Sequence, residues 1–81
     1  MAAILNHQTR AQIRRMCKDF IVSRYRGESV NAIKASQEIH NLWAVSIDWH
    51  EFTNVLESMV AYQEAEYTDI DRNGCQNYII I

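Results

Sequence analysis

Apolar side chains recur at helical spacing in three stretches of the chain, and a fourth stretch alternates like a strand. Ile13, Met16, Cys17, Phe20 and Ile21 draw one stripe, with Arg14, Arg15 and Lys18 off it. Thr9 and Gln12 stand three apart before the stripe, the spacing of a capping box. Gly27 can take the left-handed conformation that ends a helix, so the first helix is expected at about residues 10–25. Ala32, Ala35, Ile39, Leu42 and Trp43 give a second, weaker stripe and a helix at about residues 31–43. Ser29 is a plausible N-cap for it, although residues 30–33 also read as a short strand. After a turn at residues 44–47, Asp48 with Glu51 forms another capping pair. Phe52, Val55, Leu56, Met59 and Val60 follow at strict helical spacing, giving a third helix at about residues 49–62. Beyond Tyr62 the period changes. Residues 66–71 and 76–81 are strand-like and flank Asn73-Gly74, a strong hairpin signal because both turn residues need positive φ. That turn would set Tyr67 opposite Ile80 and Thr68 opposite Ile79.

The expected class is mainly α with a C-terminal β-hairpin at about residues 66–81, an α+β fold in one domain. At 81 residues the chain has room for one thin core. With 48% hydrophobic residues it has the material for it, unlike a disordered segment. No apolar run approaches the roughly 18 residues that span a membrane, and residues 1–6 are too short for a signal-peptide core. Two cysteines, Cys17 and Cys75, make neither a metal spacing nor a disulfide scaffold. That reads as a reducing compartment and hence the cytoplasm.

The net charge of −2 conceals an asymmetry. Residues 1–27 hold six basic side chains against one acid, Asp19, whereas residues 28–81 hold only Lys34 and Arg72 against nine acids. The two ends are therefore expected to present opposite fields.

Few residue sets suggest chemistry. Asp69, Asp71, Asn73 and Gly74 match the opening of an EF-hand calcium loop, with Asn77 at the ninth position. The twelfth position, which needs a bidentate Glu, is Ile80, and an Asn-Gly hairpin explains the same residues more simply. His7, His40 and His50 are scattered, although the last two lie on either side of the turn, and no cysteine or acid pair completes a metal set. Glu64 and Glu66 are two apart and on a helix end would face different ways. With no nucleophile–base arrangement and no phosphate loop, neither an enzyme, a metal nor a cofactor is expected.

The order helix, helix, short turn, helix, hairpin is similar to the winged helix-turn-helix fold. The match runs from about Ser36, through residues 36–42 as the second helix and Asp48 capping the third, to a wing at residues 66–81. The resemblance implies that the third helix enters the DNA major groove and that the wing touches backbone or minor groove. By position, Trp49, His50, Thr53 and Asn54 would face DNA, with Arg72 and Asn73 at the wing tip and Arg14 and Lys18 on the first helix as phosphate contacts. The implied function is a small transcriptional regulator, working as a dimer. The sequence departs from that pattern between Lys34 and Arg72, where no Lys or Arg occurs and acids stand instead. DNA affinity comes largely from neutralising phosphates.

A second expectation follows from that departure: a protein-binding module whose acidic third helix and wing dock on a basic partner surface. Glu51, Glu57 and Glu64 would supply charge and Trp49 an aromatic anchor. Tyr78 and Ile80, in the apolar terminal run, would form an edge open to a second chain.

Overall fold

The computed structural model describes residues 9–81; His7 and the apolar start at residues 1–6 lie outside them. The element order is α1 (Arg10–Tyr25), β1 (Ser29–Val30), α2 (Ala32–Trp43), α3 (Trp49–Ala61), β2 (Ala65–Ile70) and β3 (Gln76–Ile80). The three strands form one antiparallel sheet in the order β1-β3-β2. The protein is thus α+β, and three helices followed by a small antiparallel sheet make a shape compatible with a winged helix.

Local chemistry sets the boundaries. Thr9 accepts the Gln12 amide while the Gln12 side chain accepts the Thr9 amide, so the capping box is complete. α1 stops in a turn of type II shape: Arg26 has φ −56° and ψ 124°, Gly27 has φ +78°, and the Glu28 amide donates to the Tyr25 carbonyl at 2.7 Å. The cap of α2 is Asn31, whose side chain accepts the Lys34 amide at 2.8 Å. Ser29, the residue expected there, lies in β1 opposite Ile79. The strand-like reading of the start of this stretch is therefore realised at Ser29–Val30, two residues that close the sheet on its far side. Asp48 caps α3 by accepting the His50 amide.

The hairpin departs from the two-residue turn. Only Gly74 has positive φ; Asn73 does not. Asp71 organises a longer loop instead, its carboxylate accepting the amides of Asn73 and Cys75 at 2.8 and 3.0 Å. Tyr67 consequently faces Tyr78 and Glu66 faces Ile79, with an irregularity between Tyr67 and Ile70. The expected partners Ile80 and Ile79 were two residues too far along. A slip of two leaves every side chain on its expected face of the sheet.

The core lies between the helices and one face of the sheet. Phe20 sits near its centre, meeting Tyr25, Trp43 and Phe52 edge-to-face with ring centroids 5.9, 5.0 and 6.4 Å away. Ile21, Ile39, Leu56 and Met59 are buried around it. Ala32, Ala35 and Ile39 carry the buried side of α2, so Leu42 stays exposed and Trp43 touches the core with one edge only. Tyr78 and Ile80 are buried as well, which corrects their placement on an open edge. β3 is the central strand, with β1 on one side and β2 on the other, so its inward side chains fill the core. No helix among the described residues is long and apolar enough to cross a membrane.

Candidate functional site

Trp49, Thr53 and Glu57 stand four apart on α3 and form a ridge beside the hairpin. Trp49 and Thr53 line a groove with Ile33 of α2 and with Asn73, Cys75 and Gln76 of the hairpin. Trp49 is 43% exposed, and the His50 ring stacks on it at 3.8 Å between centroids. His50 Nδ1 lies 2.7 Å from Asp48 Oδ1. The Asp48 carboxyl is held below its usual range by the His50 amide first and by the His50 ring second.

At the end of the ridge, Glu57 joins α3 to the sheet. Its Oε1 accepts the Tyr67 hydroxyl and its Oε2 the Tyr78 hydroxyl, both at 2.5 Å. The two rings stand 5.6 Å apart. Burial, and then the bond to Glu57, push the Tyr78 hydroxyl well above the ordinary tyrosine range. For Tyr67 the bond to Glu57 is the first cause of the upward shift. Nothing in the sequence alone points to Tyr67 as a site residue. Its role depends on the register, because only the pairing of Tyr67 with Tyr78 brings two hydroxyls to one carboxylate.

The residues expected to touch DNA fall into two groups. Trp49, Thr53 and Asn73 share the groove beside the hairpin. Asn54 instead faces α1, in a depression lined by Arg14, Arg15, Lys18 and Glu64. Two of the three basic side chains there already have partners. Lys18 Nζ is 2.9 Å from Glu64, and Arg14 and Arg10 approach Glu51 at 3.6 and 3.8 Å. The side chain of Glu51 is only 18% exposed under those two arginines, so it is not a free docking charge. The two charged ends of the chain thus largely meet each other, and the expected opposite fields partly cancel. Among the described residues, Arg15, Arg26, Lys34 and Arg72 take part in no ion pair. Only Arg72 of these belongs to the hairpin, at its exposed tip.

His40, His50, Asp69 and Asp71 are accounted for locally. The His40 ring meets Ser46, and the His50 ring meets Asp48. Asp71 spends its carboxylate on loop amides, and Asp69 accepts from Asn77. Among the described residues, no group of three His, Cys, Asp or Glu is placed to hold a metal ion. Burial first, and the Glu51 charge second, push the Cys17 thiol up to about 12, which leaves it an inert core group.

No protein-family model matches the sequence, and neither a curated protein nor a solved structure is significantly similar to it.

Proposed function

We propose that this protein is a non-enzymatic interaction module of winged-helix shape, which docks the acidic face built by α3 and the hairpin on a basic surface of a partner protein. The observation that carries this reading is the position of Glu57. Two tyrosine hydroxyls hold its carboxylate on the ridge that a winged helix would lay into the major groove. That ridge carries no Lys or Arg. A fixed anion there would repel phosphates and would attract a cationic protein surface. The exposed Trp49 and Ile33 beside it supply the aromatic and aliphatic anchors that protein interfaces favour. The first-helix cations offset that field only in part, because Arg10 and Arg14 share Glu51 and Lys18 pairs with Glu64 on the far side of α3 from the ridge.

A second reading, a winged-helix DNA-binding transcriptional regulator, is favoured by Arg72. That residue is exposed at the hairpin tip without an ion pair among the described residues, at the position a wing would bring to a phosphate.

The test is a titration of labelled mixed-sequence duplex DNA at low and moderate salt, beside a titration of polylysine. The docking reading expects no DNA binding even at low salt, salt-sensitive binding of polylysine, and weaker polylysine binding by Glu57→Lys. DNA binding that falls steeply with salt and weakens in Arg72→Ala would overturn it in favour of the regulator.

A further inference from the structure

The groove beside the hairpin has walls of unlike chemistry. Trp49 and Ile33 give it aromatic and aliphatic surface, 43 and 38% exposed. Asn73 and Gln76 give it polar groups on the hairpin side, and no Lys or Arg lines it. Tyr78 lines it as well, and the Tyr78 hydroxyl donates to Glu57 Oε2 at 2.5 Å. The exposed Glu57 carboxylate therefore stands one hydrogen bond from the groove wall, one helical turn beyond Thr53. The groove holds about 400 Å³, at the small end of binding sites. That is room for one long side chain, not for a helix.

Acceptors are left open there. An ionised carboxylate has about four lone-pair sites. Tyr67 takes one on Oε1 and Tyr78 one on Oε2, so each oxygen keeps a site and both oxygens are held in place. Glu57 takes part in no ion pair among the described residues. Gln76 donates its amide nitrogen to the carbonyls of Asp69 and Asn77 at 3.3 and 2.9 Å. Those two bonds fix which way the amide points and leave its oxygen as a further acceptor. Asp71 adds charge behind the loop, where its carboxylate accepts the amides of Asn73 and Cys75, both groove residues.

We infer that this groove takes an arginine side chain of a partner protein, with its aliphatic stem against Trp49 and Ile33 and its guanidinium on the two open sites of Glu57. This rests on the docking reading above and names the side chain that the acidic face selects. The paired N–H groups of a planar guanidinium match two carboxylate oxygens. A guanidinium is also less strongly hydrated than an ammonium, so it enters a half-apolar groove at lower cost. Lysine would reach the same carboxylate only as a point charge. Leucine would cover the walls and leave Glu57 without a cation.

The probes are three acetylated and amidated glycine peptides that carry arginine, lysine or leucine at the same two positions. Binding is followed by residue-resolved NMR titration. The arginine peptide is expected to shift the Trp49 indole and the Thr53 and Gln76 amides, and to bind about tenfold more tightly than the lysine peptide. The leucine peptide is expected not to bind. Glu57→Gln should remove the preference for arginine, whereas Glu66→Gln, at an exposed acid of β2 outside the groove, should keep it. Should the Glu57 variant fail to fold, Trp49→Ala, at a half-exposed position, should weaken arginine-peptide binding by a similar factor. Equal binding of the arginine and lysine peptides, with shifts at Glu66 and Asp69 instead of the groove, would overturn the arginine site and leave the docking reading standing. Binding of the leucine peptide alone would overturn it in favour of an apolar anchor. Groove shifts that grow with protein concentration in the absence of peptide, with a dimer mass by sedimentation, would overturn it in favour of a second copy. No binding of either basic peptide or of polylysine, together with DNA binding, would sink both proposals.

Discussion

The hydroxyl of Tyr78 donates to Oε2 of Glu57 over 2.5 Å, tying the central strand of the sheet to α3. Tyr78 is buried, whereas Glu57 lies at the surface. The bond therefore satisfies a polar group at the edge of the core that would otherwise be short of water. Tyr78→Phe is expected to lower unfolding free energy by about 1 kcal/mol, and Tyr67→Phe, at a half-exposed position, by less than about 0.5 kcal/mol. Urea unfolding of the two variants measures the difference. Equal losses would mean that burial of the Tyr78 hydroxyl has no energetic consequence.

Alkaline pH acts on the same groups. Burial and the bond to Glu38 raise the hydroxyl of Tyr25, and burial and the bond to Glu57 raise that of Tyr78. An acid whose folded-state pKa is raised stays protonated where the unfolded chain would ionise. Its stabilising effect is complete below the unfolded value and is lost as pH rises through the folded one. Stability should therefore hold up to about pH 9, the ordinary thiol range. It should then fall as the unfolded chain ionises first at Cys17, pushed up to about 12 in the fold, and next at the two tyrosines. Urea midpoints taken between about pH 8 and about pH 11 check this; a flat profile would contradict it.

The two free thiols should differ in reactivity. Cys17 is fully buried on α1, while Cys75 is half-buried in the hairpin loop. A disulfide thiol reagent at neutral pH is expected to titrate Cys75 in the native protein and Cys17 only after denaturant is added. Reaction of both at the same rate would place α1 outside the core.

Gly27→Ala isolates a backbone effect. Gly27 has φ +78°, and a Cβ there would meet nothing within 4 Å. The cost should come from the left-handed conformation alone, about 1 kcal/mol. A melting point lower by about 4–8 °C is the expected readout for a domain of this size. An unchanged melting point would mean that the turn after α1 relaxes to another shape.

The helices were legible because each buries one stripe. The spacing of Ile13 to Ile21 and of Phe52 to Val60 can be satisfied only by a helix with that face inward, and Thr9 and Asp48 mark where the backbone needs a capping oxygen. Asn31 and Ser29 compete for the same role within three residues, and local sequence does not choose between them. Pairing with Ile79 drew Ser29 into β1 and left the cap to Asn31. Asn-Gly announced a hairpin but not its loop, because the carboxylate of Asp71 holds two amides and lengthens the turn. That two-residue shift brings Tyr67 and Tyr78 together on Glu57. Sequence by itself determined the helical stripes, the caps of α1 and α3 and the excess of acid after Lys34. Tertiary structure decided where that charge acts: Glu51 and Glu64 meet α1, Glu57 is held by a tyrosine from each of two strands, and Glu66 and Asp69 stay exposed on β2. The reason is that charge partners are set by distance in space, and the contacts between α1, α3 and the sheet join residues far apart along the chain.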